Sequence, residues 1–248
     1  GQARWMVAVA VLIAWTAGLS LLVRREYFAG QGQQLAEAAL RLNPGASFYV
    51  VERDGVQIGF ASNTIDTLVS GIDLVDYFIA DLPLGGATYR ASARSIIRLS
   101  RGLTLRTFDL QTETETKPQR VSGRAEGDSA IVFAITAPGL RADTQRVSVP
   151  GPVLLPALVP IAVALGSTPK VGRRYALPMF NPTTRSRANA MLVITAESLF
   201  TLVDSAEFDA AKGIWVSALT DTVRAWRVEP AGNELVFSGW VDAQGRIV

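Results

Sequence analysis

Chemistry in this chain has to come from carboxylates, arginines, tyrosines, hydroxyls and three lysines (Lys117, Lys170, Lys212), because its 248 residues include no cysteine and no histidine. That composition excludes thiolate nucleophiles, disulfides, iron–sulfur clusters and Cys-bound zinc. It also excludes Ser-His-Asp and Cys-His sites, an imidazole base, and haem or chlorophyll held through histidine. Two charged groupings remain. Arg90, Arg94 and Arg98 recur every fourth residue and so share one face of a strand. If Arg101-Gly102 is a two-residue turn, Arg90 faces Glu113, Arg94 faces Asp109 and Arg98 faces Leu105. Such cross-strand ion pairs contribute roughly 0.2–1 kcal/mol and need no ligand. The rival reading is a basic face for lipid headgroups or an acidic partner, with Arg98 best placed to serve it. Asp66, Asp73, Asp76 and Asp81 form the second grouping. Alternation separates Asp73 and Asp81 from Asp76, and EF-hand spacing is missing, so a solvated strand edge is expected. Gly71 and Gly85-Gly86 fit no phosphate loop. No catalytic residue, metal or cofactor is assigned.

The tryptophans form the third grouping. Trp215, Trp226 and Trp240 lie in the last third of the chain, each within a strand-like run. Core packing is their default; exposed in a patch, they would mark a partner surface. With Arg90, Arg94 and Arg98 they make up the candidate contact surface. Trp5 and Trp15 belong to a different environment. From Trp5 to Val23 no residue is charged, and nineteen residues at ~1.5 Å each give ~28 Å, about one hydrocarbon thickness. Arg4 precedes this run; Arg24, Arg25, Tyr27 and Phe28 follow it at interfacial depth. It reads as an uncleaved single-span anchor, the alternative being a buried core helix. Ala8, Leu12, Gly18, Leu19 and Leu22 are expected on the anchor's contact faces, small residues allowing close helix approach. Trp15, near mid-membrane, points to packing against another protein or a pigment. The arginine count alone slightly favours a cytoplasmic bulk domain. Because a long domain after an N-terminal anchor usually translocates, an inner-membrane protein with a periplasmic bulk domain is expected.

These groups have to be positioned by three parts: residues 1–28 as anchor, 29–45 as a juxtamembrane helix and linker, and 46–248 as a β-domain. Leu35, Ala38, Ala39 and Leu42 recur at helical spacing before Asn43-Pro44-Gly45. The hydrophobic period then changes from 3.6 to 2. SFYVVER and VQIGFAS flank Asp54-Gly55, a type I′ turn signal. Later strand-like runs are GIDLVDYFIADL, TYRASARSIIRLS, LTLRTFDLQTETET, SGRAEG, SAIVFAITA, RRYALPMF, ANAMLVITAES, SLFTLVDSA, IWVSALT, TVRAWRVEP and ELVFSGWVD. The expected fold is mainly β, an antiparallel sheet, clam or sandwich. Uncharged Gly151–Gly166, with Pro152, Pro156 and Pro160, interrupts it. It reads as a buried helix or turn over the open side of a curved sheet, with a membrane-surface lid or a second span as alternatives.

VGRRYALPMFNPTTR, AKGIWVSALTDTVRAWRVE and SGWVDAQGRIV, together with the RREYF junction, PGASFY and IGFAS, resemble the membrane-anchored, non-catalytic β-rich extracytoplasmic domain of bacterial transglutaminase-like-associated proteins. A transglutaminase-like module needs Cys with His and Asp partners. With neither Cys nor His here, the resemblance implies a scaffold or recognition domain without the catalytic module. The net charge of +2, with scattered basic residues, gives no nucleic-acid footprint. The expected role is a non-enzymatic accessory subunit bracing an integral-membrane complex, respiratory, transport or photosynthetic reaction-centre/antenna. Its partners are that complex and the lipid bilayer, with no soluble substrate. An amphiphile-binding β-clam and the non-catalytic part of a transglutaminase-like protein are the alternatives.

Overall fold

The computed structural model describes residues 42–84, 86–114, 118–139, 142–232 and 237–248. The anchor and most of the juxtamembrane segment, with Trp5, Ala8, Leu12, Trp15, Gly18, Leu19, Leu22, Arg24, Arg25, Tyr27 and Phe28, lie outside the described residues. Among the described residues no helix is long and apolar enough to cross a membrane.

Eight strands follow one another as an antiparallel meander, each hydrogen-bonded to the next: β1 (Gly45–Arg53), β2 (Val56–Leu68), β3 (Gly71–Leu84), β4 (Ala87–Leu99), β5 (Leu105–Thr114), β6 (Gln119–Glu126), β7 (Ala130–Thr136) and β8 (Asp143–Ser148). Gly45, expected at the end of the linker, is already the first residue of β1. Asp54 and Gly55 both have positive φ, 54° and 76°, as a type I′ hairpin requires. Strand glycines, Gly71 and Gly123 among them, let neighbouring strands close up. A Cβ on Gly71 would sit 2.1 Å from the Leu99 carbonyl oxygen. One on Gly123 would sit 2.5 Å from Phe108 and 2.7 Å from the Val132 carbonyl oxygen.

A second, four-stranded antiparallel sheet has the order β12–β11–β10–β9: β9 (Arg174–Asn181), β10 (Ser186–Asp209), β11 (Ile214–Pro230) and β12 (Gly239–Asp242). Two pairs of runs that read as separate strands are continuous here, so β10 is 24 residues long and β11 is 17.

The apolar interruption is the joint between the sheets. Pro156–Leu158 forms one 3₁₀ turn and Val159–Gly166 the helix α1, with Pro160 in its first turn, where the missing N–H costs nothing. Leu155, Leu158 and Ile161 pack with Ile72, Leu74, Ile97, Phe108 and Phe133 of the large sheet. Val159, Val163 and Ala164 pack with Leu192, Ile194, Trp226 and Val228 of the small one. A helix apolar on every side is a helix buried on every side. Neither a lid exposed at the surface nor a second span describes α1. Phe180, edge-on to Phe133 at 5.5 Å, ties β9 to the large sheet's core.

Candidate docking surface

The register places the arginine triad on one face of β4, though against different partners from those expected. Ser100 and Thr104 close a longer loop, with Ser100 N–H donating to the Thr104 carbonyl at 2.8 Å and Leu103 buried at φ 58°. Leu99 therefore faces Leu105, and a bulge beside Arg98 shifts the rest. Arg94 faces Gln111 and Arg98 faces Thr107; Glu113 faces Ser92 rather than Arg90. The acidic partners come from β3 on the other side. Arg90 donates to Asp81 at 2.8 Å and Arg98 to Asp73 at 3.3 Å. These aspartates lie on the third strand of an eight-stranded sheet, so the expected strand edge is replaced by a ladder on a sheet face. The Arg90 hydrogen bond holds the Asp81 carboxyl below its ordinary value of 3.8. Both pairs are open to water, where ion pairs contribute little. Arg94, between Tyr77 and Gln111, has no carboxylate partner among the described residues.

Asp76, on the opposite face as alternation requires, accepts from Asn63 Nδ2 at 2.6 Å and Ser95 Oγ at 2.9 Å. It belongs to a polar seam between the sheets. The Tyr49 hydroxyl donates to the Ile247 carbonyl at 3.1 Å, and burial pushes its pKa above 10. Buried Asp242 accepts from the Gln244 and Arg246 amides and from Arg246 Nε at 2.7 Å. These contacts close the C-terminal turn. Among the described residues no group of three or more acidic side chains gathers at metal-binding distance.

The three tryptophans have three fates. Trp226 is core, its Nε1 donating to Glu197 at 3.2 Å. Trp240 is half-buried and lies edge-on to Phe200 with ring centroids 5.0 Å apart. Trp215 faces Phe208 near the far end of the β10–β11 hairpin.

That hairpin is the feature the sequence reading missed. β9 pairs with β10 only over residues 186–193, and β12 pairs with β11 only over 225–228. Beyond that, among the described residues, Leu199–Asp209 and Ile214–Arg224 pair only with each other, so a two-stranded arm runs on for about 35 Å at ~3.3 Å per residue. Leu199, Val203, Ile214, Val216 and Leu219 are exposed on it. Between residues 200 and 223 it carries Asp204, Glu207, Asp209 and Asp221 against one cation, Lys212, in a chain whose overall charge is +2. Register shifts around Ser205 bend it. Lys212 pairs with Asp209 at 3.1 Å and lowers its pKa. The sequence signal was available: SLFTLVDSA and IWVSALT are apolar runs around Asp209–Gly213, a hairpin with no third run beside it.

No family model matches this chain, and no curated protein is similar to it. Among solved structures it is similar to a crystal structure of a DUF1089 family protein from Pseudomonas aeruginosa. The identity is 12% over 80% of this chain and 92% of that one, with a TM-score of 0.37. A likeness of that size carries no argument about function.

Proposed function

We propose that this chain is a non-enzymatic, membrane-tethered accessory subunit of the inner membrane, its β-domain on the periplasmic side and docked through the β10–β11 arm onto an integral-membrane protein complex. One observation carries the reading: a two-stranded ribbon with exposed aliphatic side chains that, beyond the Phe200–Trp240 contact, joins neither core cluster among the described residues. An isolated hairpin is marginal in water and gains stability when a third surface covers it. Long apolar ribbons also invite pairing with copies of themselves. The four carboxylates and the bends at Ser205 oppose such self-pairing and favour a different protein with a basic rim. The Trp5–Val23 anchor makes docking intramolecular, so a modest interface suffices and removing the anchor weakens association by roughly 10²-fold or more. The resemblance to transglutaminase-associated domains supports a scaffold role of this kind.

The amphiphile-binding clam has less support. α1 fills the space between the sheets, and a cleft among the described residues, bordered by Ala125, Asp128, Val149 and Val153, has an accessible volume of only about 20 Å³. Small-molecule sites run to about 300–1,000 Å³.

The test is gentle solubilisation of membranes containing the tagged full chain, followed by native mass measurement. A stoichiometric larger assembly is expected. A variant whose residues Val203–Thr220 are replaced by Asn-Gly should remain folded and lose that partner. Migration of the full chain alone, or as a monomer carrying lipid, refutes the subunit reading.

A further inference from the structure

The large sheet has two ends, and one carries an apolar tip that the fold does not use. At the β2–β3 turn Val69 is 92% exposed and Leu68 45% exposed. A β-branched residue is a poor turn former, and nothing packs on this one. The turn is nonetheless firmly built. Arg101, from the neighbouring β4–β5 loop, donates to the Val69 carbonyl at 2.9 Å and the Leu68 carbonyl at 3.3 Å. Beside it, position 71 has no room for any side chain, because a Cβ there would sit 2.1 Å from the Leu99 carbonyl oxygen. Arg101 has no carboxylate partner among the described residues, and neither has Arg106 near the start of β5; Asp66 and Asp73 face each other two residues in from the turn, and Arg98 pairs with Asp73.

The chain arrives from its apolar N-terminal run at this same end. Leu42 is buried in the large sheet's core, and Gly45 faces Ile65, three residues from Leu68. The point of arrival is therefore within about 15 Å of the tip, taking ~3.3 Å per residue and one strand spacing. Thirteen residues separate Phe28 from Leu42. They reach at most about 45 Å extended and about 20 Å as a helix.

We propose that the Leu68–Val69 turn is a second membrane contact: it inserts into the interfacial layer of the bilayer that holds the anchor, while Arg101 and Arg106 meet lipid phosphates. The domain then stands on the membrane at two points, the tether and the tip, and cannot rotate freely about a single helix. An apolar point with an arginine against it is the composition an interface favours. The occupant is lipid rather than protein because the tip is small, carries Arg101 on its own carbonyls and lies on the tether's side of the domain. This inference rests on the anchor reading, though not on any partner.

The absence of cysteine allows a direct test. Full-length chains carrying Val69→Cys or Val56→Cys, each labelled with an environment-sensitive fluorophore, are reconstituted into vesicles. These contain phosphatidylcholine, some phosphatidylglycerol and a lipid bearing a nitroxide near its headgroup. Val56 is exposed at the other end of β2, about 40 Å from Leu68 at ~3.3 Å per residue. Thr16→Cys reports the anchor. The expected result is a blue-shifted, strongly quenched probe at position 69, a probe at 56 that behaves as in water, and quenching at 69 that deepens with phosphatidylglycerol. A probe at 69 left in water while 16 is buried overturns the inference and leaves the anchor standing. Water exposure at 16 and 69 overturns both. Equal quenching at 69 and 56 also overturns the inference, because the domain would then lie flat.

Discussion

Leu158→Ala offers a sharp test of α1 as the joint between the sheets. Leu158 is 2% exposed and packs into the large sheet's cluster, one residue before Val159, which packs into the small sheet's. Removing three carbons loses about 2.4 kcal/mol of transfer free energy at ~0.8 kcal/mol each. A residual cavity of ~70 Å³ adds about 1.7 kcal/mol at ~24 cal/mol per Å³. The expected loss is about 4 kcal/mol, which corresponds to a fall in melting temperature of about 8–16 °C for a domain of this size. The probe makes the experiment decisive. All tryptophans outside the anchor run lie in the small sheet, at 215, 226 and 240, so their fluorescence reports a sheet whose cluster does not include Leu158. Circular dichroism reports both sheets. In urea both signals should shift together, and Leu158→Met should cost less than about 1.5 kcal/mol. If tryptophan fluorescence keeps its wild-type midpoint while the circular dichroism transition moves, the sheets unfold separately and the joint assigned to α1 is wrong.

Gly123→Ala should destabilise the domain by about 1–3 kcal/mol in denaturant melts, because its Cβ meets the Phe133 Cβ and the Val132 carbonyl at 2.7 Å and neither can swing away. A neutral result would mean that β6 sits further from its neighbours than described. The pH dependence has two ends. Asp81, Glu126 and Asp209 are held below their ordinary values by Arg90, Arg146 and Lys212 respectively. What they contribute is present above pH ~4.5 and is lost as pH falls through their folded pKa values. Tyr49 lies above 10, so the preference for its neutral form is present below pH 10 and lost as pH rises through its folded pKa. With no histidine to titrate between, urea midpoints should stay flat from pH 5 to 8, and a step within that range would refute the assignment.

The large sheet was legible because its strands alternate and its turns carry standard signals. Asp54-Gly55 is the clearest of them, and apolar Ile72 and Leu74 against Asp73 fixes which face of β3 is buried. β8 was not legible: DTQRVS is the sheet's other edge and offers Val147 as its one strongly apolar side chain. The β4–β5 register was misjudged because Leu103 adopts a left-handed conformation that a β-branched or bulky side chain rarely shows, and no local rule announces it. For the arm, the individual runs were read correctly. Their fusion into β10 and β11, and the absence of a third strand beside them, depend on where β9 and β12 stop pairing, which is a tertiary matter. The triad's shared face followed from spacing alone; that Arg90 and Arg98 take aspartates of β3 required knowing that both flanking strands compete for each arginine.

The strict meander of β1–β8 also shapes how the chain can be made. Every strand needs only its predecessor to pair with, so loop closure is short at each step and the sheet can lengthen at one edge as the chain emerges, N-terminus first. Its hydrophobic face has no such luck. The cover, from Leu155 to Ala164, is synthesised more than a hundred residues after Gly45. At ~5–20 residues per second Ile97 waits about 3–12 s for Leu155, and Phe133 about 1–4 s. In that interval the nascent sheet is a sticky half-product, and its biogenesis should depend on a holding chaperone far more than its finished stability suggests.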